Sequence, residues 1–276
     1  MAEIVGAFTV PHAPLILAAP QAANRQQADS CWRSYSRVIE RVRELEVDTV
    51  IVVGDDHYTL FGPHCIPAFL IGIGDVDGPA EPWINSPHAR IENNEPLAHH
   101  IMDFGHETGV DWAVAKSLTV DHSIFVPWHY AIKPLEGVRT IPIYINSGVA
   151  PLVKNRRCYQ VGQSIAAAIK SWQGAERVAI YASGGISHWP AEARWEELNP
   201  DFDRRMISLL ETGNVEAIIA LSDEEVYEEA GNGAWEIKNW LCMMGALAGW
   251  KGELIAYEAV YEWLGTCAFL EMKKAA

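Results

Sequence analysis

Short apolar runs alternate with amphipathic ones along this chain. Residues 3–10 (EIVGAFTV), 48–54 (DTVIVVG), 65–72 (CIPAFLIG), 138–146 (VRTIPIYIN) and 177–183 (RVAIYAS) are rich in β-branched and aromatic side chains. Polar residues bound each of them, which predicts strands. Residues 253–260 and 266–272 form a last pair of the same kind. Between them, helical periodicity marks 24–45, 95–108, 156–172, 200–212, 214–221 and 234–248. Strands alternating with helices predict an α/β fold: a single layered domain over residues 1–276, with a central mixed sheet flanked by helices. The stretch 74–94 is rich in Gly, Pro, Asp and Asn and reads as a long loop over one face, of a kind that often carries function.

Composition narrows the classes of partner. Hydrophobic residues make up 49% and charged residues 21% of the 276, the profile of a soluble globular protein. A net charge of −15 argues against nucleic acid or an anionic membrane as partner. The five cysteines (Cys31, Cys65, Cys158, Cys242 and Cys267) are widely spaced and form no CxxC, so they read as reduced thiols in a cytoplasmic protein. The start MAEIVGAFTV lacks a basic leader. No apolar run approaches the roughly 20 residues that span a bilayer.

Polar clusters follow three of the apolar runs. Residues 3–10 lead into VPHAP with His12, 48–54 into GDDHY with His57, and 177–183 into SGGISHWP with His188. Ligand sites of α/β sheets lie beyond the carboxyl ends of strands, so three parallel neighbours would bring these histidines to one rim. Pro11 and Pro14 stiffen the backbone at His12, which suits a metal ligand, although a strand-end cap is the commoner role of a lone histidine. Asp55 and Asp56 offer His57 a carboxylate for its second ring N–H, or they cap the next turn.

Glu236 adds a carboxylate. The positions four, seven, eight and eleven residues on are Trp240, Met243, Met244 and Leu247, so it heads an apolar stripe. Buried charges are paired or bind metals, and Lys238, two residues away, cannot face it on the helix. A distant salt bridge or a helix-dipole role is the alternative. Two imidazoles and one carboxylate form the facial triad of non-haem Fe(II) oxygenases, and zinc is the other standard occupant. Such a site carries about +1 net charge on a divalent ion and is neutralised by a monoanionic catecholate. His188 and His122 (in TVDHSIFVP) are candidate acid–base groups or hydrogen-bonded structural histidines. His129 could approach the site beside His122. Trp83, Phe125, Trp128, Trp189 and Trp235 could wall a flat aromatic pocket, and core packing is their other fate.

The ordered set HAP, DDHY, VDHS, GGISH and WEIKNWLCMMGAL resembles the class III extradiol ring-cleaving dioxygenases, the protocatechuate 4,5-dioxygenase β-subunit type above all, over nearly the whole chain. The resemblance implies iron ligands at His12, His57 and Glu236 and active-site histidines at His122 and His188. It implies Fe(II) as cofactor and a catecholic aromatic, protocatechuate- or gallate-like, opened by O2. Trp189 stands where the family carries glutamine, and Pro127–Trp128 follow VDHS, so Trp189, Trp128 and His129 are the candidate substrate-binding positions. A homo-oligomer is expected, and some relatives add a small helical partner subunit. A non-catalytic scaffold on the same fold, or a zinc hydrolase using the same three ligands, are the rival readings.

Overall fold

In a computed structural model of the chain, residues 1–62 and 64–274 are described. One mixed sheet of nine strands runs through it: β1 (Glu3–Val10), β2 (Thr49–Gly54), β3 (Phe69–Gly78), β4 (Ala89–Ile91), β5 (Ala113–Thr119), β6 (Arg139–Ile145), β7 (Arg177–Ser183), β8 (Trp250–Val260) and β9 (Gly265–Lys274). Their order is β4-β3-β6-β2-β7-β1-β9-β8, with β5 beside β3. The four central strands β6, β2, β7 and β1 are mutually parallel, and β3 and β9 join them antiparallel. The expected α/β architecture with a mixed central sheet is what the chain adopts.

Both faces of the central strands are covered, which is why they read as unbroken apolar runs. Ile51, Val53, Ile141, Ile143 and Ile180 point to one face. There they meet helices Glu95–Thr108, Asn155–Ser171, Pro200–Thr212 and Ile237–Ala246 through Ile101, Val161, Met206 and Trp240. Phe8, Val50, Val52, Tyr144 and Tyr181 point to the other, against helices Arg25–Glu44 and His122–Ala131 through Val38, Ile124 and Phe125. Truncating one of these fully buried aliphatics to Ala costs about 2–5 kcal/mol, transfer and cavity together.

The structure corrects the element boundaries in several places. The strand read at 65–72 begins at Phe69 and continues to Gly78, into the stretch read as loop, which also holds β4. Pro67 has no N–H for a ladder, while Gly72, Gly74, Gly78, Asp75 and Asp77 mask the second half, since Gly and Asp are poor strand formers. β5 and helices His122–Ala131 and Asp223–Ala230 are additional. The helix read at 214–221 shrinks to Val215–Ile219, and that read at 234–248 splits into a 3-10 turn, Gly233–Glu236, and Ile237–Ala246. All five cysteines are free thiols. Among the described residues no helix is long and apolar enough to cross a membrane.

Candidate metal centre and active site

β2, β7 and β1 are consecutive and parallel, so the residues that follow them emerge at one rim. His12 leaves β1, Asp55 and His57 leave β2, and His188 leaves β7. Glu236 arrives from a separate element, on the turn that starts helix Ile237–Ala246, and is 1% exposed. Two glycines make room for this meeting. Gly184 has φ +141°, and a Cβ there would lie 2.7 Å from Glu236 Oε2. A Cβ at Gly233 would lie 2.2 Å from the His188 ring.

One carboxylate oxygen is the focus. Glu236 Oε1 lies 3.3 Å from His12 Nε2, 3.4 Å from His57 Nε2 and 3.5 Å from His188 Nε2. The other ring nitrogen of each histidine is already engaged. Ser183 Oγ donates to the Ser123 carbonyl and accepts from His12 Nδ1 at 2.8 Å. His57 Nδ1 donates to Asp121 Oδ2 at 3.0 Å, and His188 Nδ1 to the Ile186 carbonyl at 3.2 Å. These partners fix the tautomers, so in the neutral rings every Nε2 turns a lone pair toward a carboxylate that has only lone pairs to offer. Asp55 adds Oδ2, buried without a hydrogen-bond partner and 3.4 Å from His57 Nε2. Ligand atoms of His12, Asp55, His57 and Glu236 lie within 4.8 Å of one another. Buried lone pairs aimed at one another require extra protons or a cation between them. A hard-to-borderline divalent cation fits this oxygen and imidazole set.

The titration pattern has the same origin. Burial pushes Asp55 up, to about 6, against the neighbouring imidazoles. Burial disfavours the charged form of His57, yet Asp55, Asp121 and Glu236 outweigh it and hold His57 well above the usual histidine value. Glu236 is held well below the carboxylate range, because His12 and His188 overcome its burial. Asp121 is likewise buried, and its bond from His57 and the charge of His122 bring it down to about 2. It also accepts from Ser123 Oγ at 2.7 Å and Tyr144 Oη at 3.0 Å. Burial and the charge of His57 lower His122, whose Nδ1 is held by Glu81.

A cavity of about 500 Å³ opens above the cluster. His12, His57, His122, His188 and Glu236 form its floor, and Leu15, Trp83, Trp195, Trp263 and Leu264 are among its walls. The predicted metal and acid–base positions are thus brought together around one space. The three predicted substrate contacts are not. Trp189 turns inward, 2% exposed, with the Arg194 guanidinium 4.1 Å above its ring. Trp128 packs on Phe125 in the core, ring centroids 5.3 Å apart. His129 sits two helical turns from His122, about 10 Å along the axis, against Tyr130. Of the aromatic residues expected to wall a pocket, Trp83 does line this one, and Trp195 and Trp263 join it, while Phe125 and Trp235 do not. Asp121 and Glu81, which orient two histidines, were also not singled out from the sequence. The VDHS motif contained the first, and nothing local marked the second.

The sequence profile described as the catalytic LigB subunit of aromatic ring-opening dioxygenase matches residues 6–269. A protein of Klebsiella pneumoniae named 2,3-dihydroxyphenylpropionate/2,3-dihydroxicinnamic acid 1,2-dioxygenase is 27% identical over 272 residues, covering 81% of this chain and 85% of its own. Its namesake from Escherichia coli O139:H28 is 26% identical over 276 residues, covering 82% and 85%. In three dimensions the chain is similar to the crystal structure of the uncharacterized protein JW3007 from Escherichia coli K12, with a TM-score of 0.62 and 13% identity over 98% of this chain and 100% of that one.

Proposed function

This chain belongs to the LigB family of catalytic subunits of extradiol, aromatic ring-opening dioxygenases, and from that premise we propose that His12, His57 and Glu236 hold a single Fe(II) ion beneath a cavity that takes a catecholic ring. The observation that carries this reading is the convergence of His12 Nε2 and His57 Nε2 on Glu236 Oε1 at 3.3 and 3.4 Å. Asp55 Oδ2, buried and otherwise unpartnered, supports the same assignment.

Ferrous iron, when bound, supplies Lewis acidity toward the two ring oxygens and the electrons that O2 activation needs. The protein supplies position and protons. His188, with its Nδ1–H spent on the Ile186 carbonyl, has Nε2 free to take the proton that the diol loses on binding and to return it as the ring opens. His122, on the same floor, presents Nε2 as its one unengaged nitrogen, which accepts from a substrate hydroxyl and, once protonated, donates to O2. Trp83, Trp195, Trp263 and Leu15 keep water from the reacting centre.

The substrate follows from the wall. Protocatechuate and gallate, which the sequence resemblance implies, carry a carboxylate on the ring, and the named relatives act on acids. Here the wall beyond the floor is apolar, and its one charged member is Glu192. A catecholic ring with an uncharged substituent suits that wall better. The test is anaerobic reconstitution with Fe(II), then oxygen uptake on catechol, 3-methylcatechol, protocatechuate, gallate and 2,3-dihydroxyphenylpropionate, with Zn(II)-loaded protein alongside. Uptake with Fe(II) and none with Zn(II) is expected. Activity with Zn(II) and no oxygen would establish a hydrolase instead. Failure to take up either metal would end the reading.

A further inference from the structure

We propose that Glu81 is the positioning carboxylate of His122 and acts in ring opening through it; this rests on the active-site role given to His122 above. Glu81 lies in the crossing between β3 and β4 and is 4% exposed. The crossing is anchored where Ala80 N donates to the Val120 carbonyl at 2.8 Å. That bond sets Glu81 against the start of helix His122–Ala131. Its Oε1 accepts twice from one residue: from the His122 backbone N–H at 3.0 Å and from the His122 ring at Nδ1. Gripped at backbone and ring together, the imidazole can neither rotate nor exchange tautomers without breaking a buried bond. A carboxylate only accepts, so Nδ1 carries the proton and Nε2 turns its lone pair into the cavity.

A capping role alone does not account for this group. The N–H at a helix start is satisfied by a neutral Ser, Asn or Gln as well as by a charged one. Glu81 instead buries a full carboxylate and leaves Oε2 without any partner, an arrangement that costs stability. That cost is offset where a positive charge develops next door. As His122 Nε2 accepts a hydrogen bond from a substrate hydroxyl, positive charge builds on the ring that faces the Glu81 carboxylate. This is the division of labour in which an acid orients a histidine and stabilises its cation without itself reacting. The same segment carries Trp83, whose ring centroid is 6.2 Å from that of His122, so one crossing places both the cavity wall and the histidine.

The test uses the full chain with Glu81→Gln, Glu81→Asp, His122→Ala and the double variant His122→Ala/Glu81→Gln. Nitrogen-15 NMR of the histidine rings in the metal-free protein should show His122 as the Nδ1–H tautomer, and a mixture or the Nε2–H form in Glu81→Gln. In the iron-loaded enzyme, Glu81→Gln should lower kcat on the order of 10²-fold, with iron content and KM within about twofold of the parent. Glu81→Asp, charged but shorter, should recover part of that loss. The double variant should be no slower than His122→Ala alone, because a residue acting through His122 has nothing left to act on. An unchanged tautomer with unchanged kcat in Glu81→Gln overturns the proposal. So does a double variant in which the two losses multiply. A parent that opens no catechol, while the tautomer still depends on Glu81, removes the ring-opening reading and leaves the grip on His122 in place.

Discussion

Asp55 and Asp56 are neighbours in the chain with different work. Asp56 accepts from the backbone N–H groups of Thr59, Leu60 and Phe61 and closes the turn after β2. Asp55 faces the metal centre, its other oxygen held by Asn239 at 2.9 Å. The carboxylate that orients His57 is neither of them but Asp121, 64 positions along the chain. If His57 is a ligand as proposed, Asp121→Asn is expected to weaken Fe(II) binding by about 10–100-fold, the usual consequence of losing the partner of a ligating histidine, as read by anaerobic competition with a ferrous chelator. His188→Ala is expected to keep its iron and lose turnover on the order of 10²-fold or more; a variant that turns over normally removes His188 from the chemistry. The histidines and Glu236 were legible because strand ends and a stripe of large apolar residues mark them. Asp121 and Glu81 were not, because only tertiary contact tells which carboxylate reaches which ring.

At the scale of elements, the same difference recurs. The strands that build the centre declared themselves by apolar content. Helix His122–Ala131 did not, since Pro127 and a run of β-branched and aromatic residues oppose it. Burial of eight of its residues overrides that propensity. Helix Asp223–Ala230 carried a readable signature: Ser222 and Glu225 form a reciprocal capping box. Its first residue also anchors the helix that delivers Glu236. Lys238, 1% exposed, pairs with Asp223 Oδ1 at 2.5 Å and Asn155 Oδ1 at 2.6 Å. Asp223→Asn should cost about 3–5 kcal/mol, because it strands a buried ammonium. Burial raises the Asp223 pKa, but Lys238 and Lys154 bring it below the usual aspartate value. The unfolded chain then binds the proton more readily, so this stabilisation is complete above about pH 4 and is lost as pH falls further. Thermal unfolding followed from pH 7 to 3 should show a larger loss in the parent than in Asp223→Asn.

For the whole molecule, a charge of −15 and an apolar cavity act in the same direction on anionic ligands. Carboxylated catechols are expected to show lower kcat/KM than uncharged ones, with a KM that falls as salt screens the field. Uncharged catechols should be indifferent to salt, and Glu192→Gln should narrow the gap. Equal salt dependence for both classes would remove the electrostatic argument. The layered α/β architecture was readable from alternating periodicities, whereas the order of strands was not, because pairing partners are set by packing across the sheet.

That order has a consequence for how the protein is made. β1 precedes the other described strands in the chain, yet it lies between β7 and β9, and Thr9 exchanges hydrogen bonds with Ala268 and Leu270, 259 and 261 positions on. A ribosome-bound fragment that has not reached residue 236 owns His12 and His57 without the acid that joins them. On the proposed ligand set, metal capture thereby waits for a chain that has passed residue 236, and a shorter fragment stays blind to ferrous ions.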